Sequence, residues 1–329
     1  MKAAFDVRRA EVEEQESLTE LKGRLEGHVE MLAHTIGPRS YEKHPGSLER
    51  AATFIETTWQ EQGYDVRRQT YSYQPNGWMR FLGIRRDGVG VNLEATLRGI
   101  ERPEEIVVIG AHYDSAGNAP GADDNASGVA ALLEISREMR NAMPAKTVKF
   151  VEVRHEEPPY FGTRAMGSAR YAVEARERGD NITSMIVLDA IGFYSDQPGS
   201  QKQHDVVPLP DTGNFLAFIG YEKSQQLVEG AASVFRRNAA FPTAVLVVPA
   251  DKLVIVGEIA HVLEPYEDAA RSDHASFWGQ GYDAFMVTDT AFLRSQHYHT
   301  ITDTVGTLDY NGLALVTAGL TDVVRYLAA

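Results

Sequence analysis

Ile106-Val107-Val108-Ile109-Gly110-Ala111 runs directly into His112-Tyr113-Asp114, and Gly121-Ala122-Asp123-Asp124-Asn125-Ala126-Ser127-Gly128 follows a few residues later. The first six residues are the short apolar, β-branched run of a buried strand. Residues 127–139 then carry apolar side chains at three- and four-residue spacing, the pattern of a helix. Strand, polar loop and helix in succession form the repeating unit of α/β proteins. The unit recurs in both directions. Strand-like runs are read at 64–73, 91–97, 148–153, 185–188, 215–219, 244–248 and 285–287, and helical patterns at 165–178, 224–237 and 309–327. Upstream, Ser17-Leu18-Thr19-Glu20 fits a capping box that opens a helix through Leu21, Leu25, Val29 and Leu32 to Gly37-Pro38. A second helix is predicted from Ser47 as N-cap through Leu48, Ala51, Ala52, Ile55 and Trp59, closed by Gly63. Residues 195–214 and 239–271 are the least regular and read as excursions near the ligand face. The pattern predicts an α/β fold, a three-layer αβα sandwich with a mostly parallel central sheet. No repeat or low-complexity linker divides the chain, so one domain is expected over 17–329, preceded by a charged arm at 1–16.

Composition narrows the chemistry. The chain has 329 residues, 43% hydrophobic and 24% charged, a globular balance. Its formal charge of -14 would repel a phosphate backbone, and Arg8-Arg9 and Arg236-Arg237 are too few to form a basic footprint, so no nucleic-acid partner is expected. The same charge disfavours strongly acidic substrates, although local fields decide within clefts. With Cys 0, thiol nucleophiles, disulfides and Cys-ligated metals are excluded, and any metal must sit on His, Asp or Glu. Residues 1–15 contain no apolar h-region, and the apolar stretch 241–263 is broken by Pro249, Asp251, Lys252 and Glu258. No membrane partner and a cytoplasmic location are expected, though a mature secreted form would read the same.

Ligands in open α/β sheets bind beyond the carboxyl ends of the strands. Here those ends carry metal-ligand types: His112 and Asp114 after 106–111, His155-Glu156-Glu157 after 148–153, and Asp189 after 185–188. Asp123-Asp124 precedes a helix, and His297-Tyr298-His299-Thr300-Ile301-Thr302-Asp303-Thr304 lies in a late loop. Paired carboxylates at one sheet edge repel unless something positive neutralises them, and a divalent ion does so. Zinc accepts N and O ligands, and a bridging carboxylate between two ions gives a hydrolytic site.

These motifs, with Ser272-Asp273-His274, occur in an order that resembles the M28 family of co-catalytic zinc aminopeptidases, over the chain from about Leu18 to its end. The resemblance implies two Zn2+ per chain, and the ligand types also admit Co2+ or Mn2+. His112 and Asp189 would bind one ion, Glu157 and His299 the other, and Asp124 both. It implies Glu156 as general base, taking a proton from a metal-bridging water and passing it to the leaving amine. Asp114 would orient His112 through its other ring nitrogen, and Asp273 and His274 would have supporting roles. The substrate implied is a peptide cut at its N-terminus. The chain departs from the family turn after the glutamate pair, where Pro158-Pro159-Tyr160-Phe161 intervenes and puts the side-chain pocket in question.

Taken singly, each motif has a plainer reading. Asp123-Asp124-Asn125 could be a helix cap, the role expected of Asp123, and Glu156-Glu157 could be a solvated turn. His44, His155, His204, His261 and His297 match no motif and read as structural. Three other functions remain open. A carboxypeptidase or dipeptidase of the same fold would need a cationic clamp, with Arg164, Arg271 and Arg294 as candidates. A glutaminyl cyclase would use a single zinc, and a binding domain would do no chemistry. The oligomeric state is not encoded in any of these features.

Overall fold

The computed structural model describes residues 17–75, 77–81, 83–204, 207–256 and 258–329, so the arm at 1–16 lies outside the described residues. The first helix, α1, covers 17–36 and finishes as a π-helix over Glu30–Ile36. Helix α2 (Pro45–Glu61) follows, then strand β1 (Val66–Tyr73), the short α3 (Gly77–Phe81), β2 (Gly88–Leu97) and β3 (Arg102–His112). Next come α4 (Gly128–Met139), β4 (Lys146–Val153), α5 (Gly167–Arg178), β5 (Asn181–Leu188), β6 (Leu216–Tyr221) and α6 (Gln225–Ala239). The chain ends with β7 (Thr243–Val248), β8 (Leu253–Val256), β9 (Ile259–Val262), α7 (His274–Gly279), β10 (Ala284–Thr288) and α8 (Tyr310–Leu327).

The central sheet has eight strands in the order β1-β2-β4-β3-β5-β10-β6-β7. Strands β4, β3, β5 and β10 are mutually parallel, as are β6 and β7, whereas β2 is antiparallel to both β1 and β4, and β6 is antiparallel to β10. This is the mixed α/β sandwich with a mostly parallel sheet that the alternation predicts. One face packs on α1, α2, α4, α6 and α8 through Leu25, Trp59, Leu132, Phe235 and Leu320. The other packs on α5, α7 and the β8–β9 hairpin through Tyr171, Phe277, Trp278 and Ile259. Inner strands are buried on both faces and therefore read as unbroken apolar runs.

Three local expectations are corrected. Helix α2 begins at Pro45 rather than after Ser47, because proline at the first helical position has no N–H to leave unpaired. Asp123 does not cap α4. Its Oδ1 accepts the Gly192 N–H at 2.8 Å, and Asn125 Oδ1 takes the Gly128 N–H instead. The region 239–271 is more regular than expected, since besides the expected strand at 244–248, which is β7, it contains the β8–β9 hairpin. Val254, Ile255 and Val256 of that hairpin are exposed, so the apolar run carries no burial pattern that distinguishes strand from loop.

Trp59 joins α2 to α4. It is fully buried, and its Nε1–H donates to Ser136 Oγ at 3.0 Å. Trp59→Ala is expected to cost about 3–5 kcal/mol of stability, read as a lower urea midpoint in the metal-free protein.

Candidate metal centre

Parallel pairing brings the ends of β4, β3 and β5 to one level. His112 closes β3 opposite Val153 of β4, and Gly110 pairs with Val187, two residues short of His112 and Asp189. Continuing each strand by a few residues therefore sets Glu156, Glu157, His112 and Asp189 along one edge. Asp124 arrives from the segment leading into α4, and His299 from the loop between β10 and α8.

His112 Nε2 lies 3.2 Å from Asp124 Oδ1, 3.7 Å from Asp189 Oδ1 and 3.8 Å from Glu156 Oε2. His299 Nε2 lies 3.1 Å from Asp124 Oδ2 and 3.1 Å from Glu157 Oε2. Among the described residues these side chains form two groups whose donor atoms all lie within 4.8 Å of one another: His112, Asp124 and Asp189, and Asp124, Glu157 and His299. Asp124 belongs to both, one oxygen facing each. A third grouping, His112 with Glu156 and Glu157, overlaps them.

All of these residues are buried except His299, which is partly exposed, yet both ring nitrogens of His112 and both carboxylate oxygens of Glu157 have no hydrogen-bond partner. Leaving buried polar atoms unpaired is costly. Donors that converge on a common space instead of on one another suit a divalent cation, and an all-N/O set of histidines and carboxylates suits zinc.

Protonation in the metal-free centre reflects the same crowding. Burial, reinforced by the charges of Asp189 and Glu157, pushes the Glu156 carboxyl well up, and burial with Asp124 pushes Glu157 up to about 7. Burial would also raise Asp124, but His112 and His299 outweigh it and hold that carboxylate down. Burial opposes charge on His299, whereas Asp124 and Glu157 hold its pKa up to about 10. Metal uptake at neutral pH must therefore release protons from this centre.

Around the groups, Asp114 Oδ1 lies 3.5 Å from His112 Nδ1, and its two oxygens accept the backbone N–H groups of Glu156 (3.3 Å) and Glu157 (3.1 Å). One carboxylate thus faces the far side of His112 and also fixes the glutamate pair. Asp303, whose role the motif did not reveal, accepts the N–H groups of Asp123 and Asp124 at 2.9 and 3.2 Å. Asn125 Nδ2 donates to Leu188 O, and Asn125 Oδ1 accepts Ala190 N–H, which fastens the Asp124 segment to the Asp189 strand end. Gly121, at φ +64°, has no room for a side chain, since a Cβ would stand 2.4 Å from Asp124 O. Arg39 was also missed, because Gly37-Pro38-Arg39 reads only as a helix end. Fully buried, it donates to the carbonyls of Tyr113, Leu32, Gly37, Pro120 and Gly121, so it ties α1 to the loop between His112 and Asp124.

Other sequence candidates fall elsewhere. Asp273 and His274 are buried, and His274 Nε2 lies 2.8 Å from Ala269 O; neither belongs to an ion-holding group among the described residues. Arg294 is buried and donates to Gln201, Phe193 O and Phe215 O, and Arg164 pairs loosely with Glu258 on the surface. Arg271 pairs with Asp268 and lies over the Phe292 ring. Tyr160 stacks on His155 and bonds to Tyr73, which makes His155 structural, as expected. A cavity of about 800 Å³, including its open mouth, adjoins Asp189 and is walled by Ala217, Ile219, Leu246, Met286 and Phe292, with Arg271 at its wall. Tyr160 and Phe161 do not line it, although Phe161 lines a neighbouring cavity that shares Arg271.

The sequence pattern described as "Peptidase family M28" matches residues 92–209. An uncharacterised Escherichia coli (strain K12) protein, YfbL, is 32% identical over 308 residues, covering 90% of this chain and 85% of that protein. A probable leucine aminopeptidase of Trichophyton verrucosum is 29% identical over 67% of this chain and 52% of its own length. Among solved structures, the zinc aminopeptidase BSAP of Bacillus subtilis superposes with a TM-score of 0.67 at 14% identity, covering 93% of this chain and 95% of that one. Glutaminyl cyclases also share the fold. No helix among the described residues is long and apolar enough to cross a membrane. With the ordered motifs and these likenesses in agreement, the chain belongs to peptidase family M28, a family of zinc metallopeptidases.

Proposed function

We propose that the protein is a two-zinc aminopeptidase, a single catalytic unit over 17–329 that removes N-terminal residues from peptides. The observation that carries this reading is the membership of Asp124 in both donor groups, with one oxygen turned to each. A single-zinc cyclase has no use for the second group. Bound in these groups, divalent ions would supply Lewis acidity and an activated water at neutral pH. His112 and Asp189 would hold one, Glu157 and His299 the other.

The chain's own residues then divide the work. The Glu156 carboxylate takes the proton of the attacking water and returns it to the leaving amine. Asp114 faces the far nitrogen of His112, where it would favour one ring orientation with an ion bound, and fixes the two glutamates relative to each other. The cavity beside Asp189 gives an apolar N-terminal side chain room out of water. The clamp that a carboxypeptidase needs is poorly supported, because Arg294 is fully engaged within the protein and Arg271 is paired with Asp268.

Metal content per chain, measured together with hydrolysis of aminoacyl chromogenic substrates, tests this reading. Two ions, activity lost on chelation and regained with zinc, and cleavage of C-terminally but not N-terminally blocked peptides are expected. One ion with ammonia release from an N-terminal glutamine peptide would make the protein a cyclase. The opposite blocking pattern would make it a carboxypeptidase.

A further inference from the structure

We propose that Arg80, Arg85 and Arg86, on the connection between β1 and β2, read the leaving-group side of a peptide substrate, receiving carboxylates that lie a few residues after the scissile bond. This rests on the aminopeptidase reading of the centre and adds to it a preference for acidic downstream sequence.

Strand geometry places the connection. β2 runs antiparallel to β4 with Leu93 opposite Glu152, and Gly88 is as far before Leu93 as Glu157 is after Glu152. The start of β2 therefore lies at the sheet edge where β4 ends and leads into the glutamate pair. The connection is also fastened there. Tyr73 Oη–H donates to Tyr160 Oη at 3.0 Å, Tyr160 N–H donates to Glu157 O at 3.0 Å, and Met79 and Ile84 pack in one cluster with Tyr73, Tyr160 and Ala165.

Charge and direction supply the rest. Arg80, Arg85 and Arg86 are exposed on this connection with Asp87 as its acidic residue, in a chain of formal charge -14. Arg85 and Arg86 make no ion pair among the described residues, and Phe81 beside them is 79% exposed. The strand order sets the apolar cavity beyond β5, on β10, β6 and β7, and sets β2 and β1 on the other side of β4 and β3. A substrate with its first side chain in that cavity runs its remaining residues across Glu156 and Glu157 toward β2. The cationic connection lies on that side of the centre, near Glu42, which accepts the Tyr160 Oη–H. A local field of this kind reverses the aversion to acidic substrates that the net charge alone predicts.

The test uses zinc-loaded Glu156→Gln protein and fluorescent, C-terminally amidated peptides that begin with leucine and carry Glu-Glu, Gln-Gln or Lys-Lys at the third and fourth positions. The Glu-Glu peptide is expected to bind about three- to tenfold more tightly than the Gln-Gln peptide at low salt, as two or three exposed ion pairs allow. The advantage is expected to fade at 1 M salt, where screening is nearly complete. Adding Arg85→Glu and Arg86→Glu reverses the order. The same two changes in the otherwise native enzyme leave hydrolysis of a leucyl chromogenic substrate, which has no downstream residues, unchanged. Equal binding of the three peptides, or a preference that survives both changes, overturns the proposal. A preference that persists in a protein unable to hydrolyse the chromogenic substrate would instead overturn the aminopeptidase reading and leave this surface standing.

Discussion

Glu156→Gln is expected to lower kcat by about 10²–10⁴-fold, the span general-base catalysis supplies, while the protein keeps its ions. The substitution preserves shape and removes only the capacity to carry a proton. Its power lies in the overlap of donor groups, since Glu156 also stands in a grouping with His112 and Glu157 that could hold an ion. If Glu156 were a ligand, the amide would lower metal content along with turnover. Atomic spectroscopy on dialysed protein, run beside the kinetics, separates the two roles, and lost metal would transfer the proton-carrying role to another residue.

Asp124→Ala is expected to have the larger effect on metal. It removes a donor from both groups at once, so the ions retained per chain should fall from two toward none. The loss should exceed the roughly 10–100-fold that removal of an outer hydrogen-bond partner such as Asp114 costs. Hydrolysis should fall to background even with excess zinc. A variant that keeps one ion firmly would mean that Asp124 serves one group only, and the two-ion reading would fail with it.

The alternation of strands and helices was legible because burial on both faces leaves an apolar imprint on each inner strand, as at Val107, Val108 and Ile109. Candidate ligands were legible for a related reason, since His112 and Asp189 directly follow such runs. What stayed hidden depends on contacts between distant residues. Asp303 acts through backbone N–H groups 180 and 179 positions away, and Arg39 through carbonyls of a loop some 74–82 positions away. Neither leaves periodicity behind. Strand β8 was obscured for the opposite reason, because its Val254, Ile255 and Val256 face solvent and leave no buried pattern, although β9 beside it is buried through Ile259 and Val262. The apolar cavity was equally unreadable, assembled from β6, β7, β10 and the loop after it.

Arg39 has a consequence for dissection of the chain. Residues 92–209, the span that matches the family pattern, contain His112, Asp124, Glu156, Glu157 and Asp189. They contain neither His299, nor the Asp303 that seats Asp124, nor the guanidinium that binds the first helix to the carbonyls of Tyr113, Pro120 and Gly121. A fragment cut to that span would carry most of the donor atoms and little of what aims them. The smallest portable form of this metal centre therefore begins at the first helix and extends past the loop that bears His299 to α8, whose Leu320 covers the same sheet face.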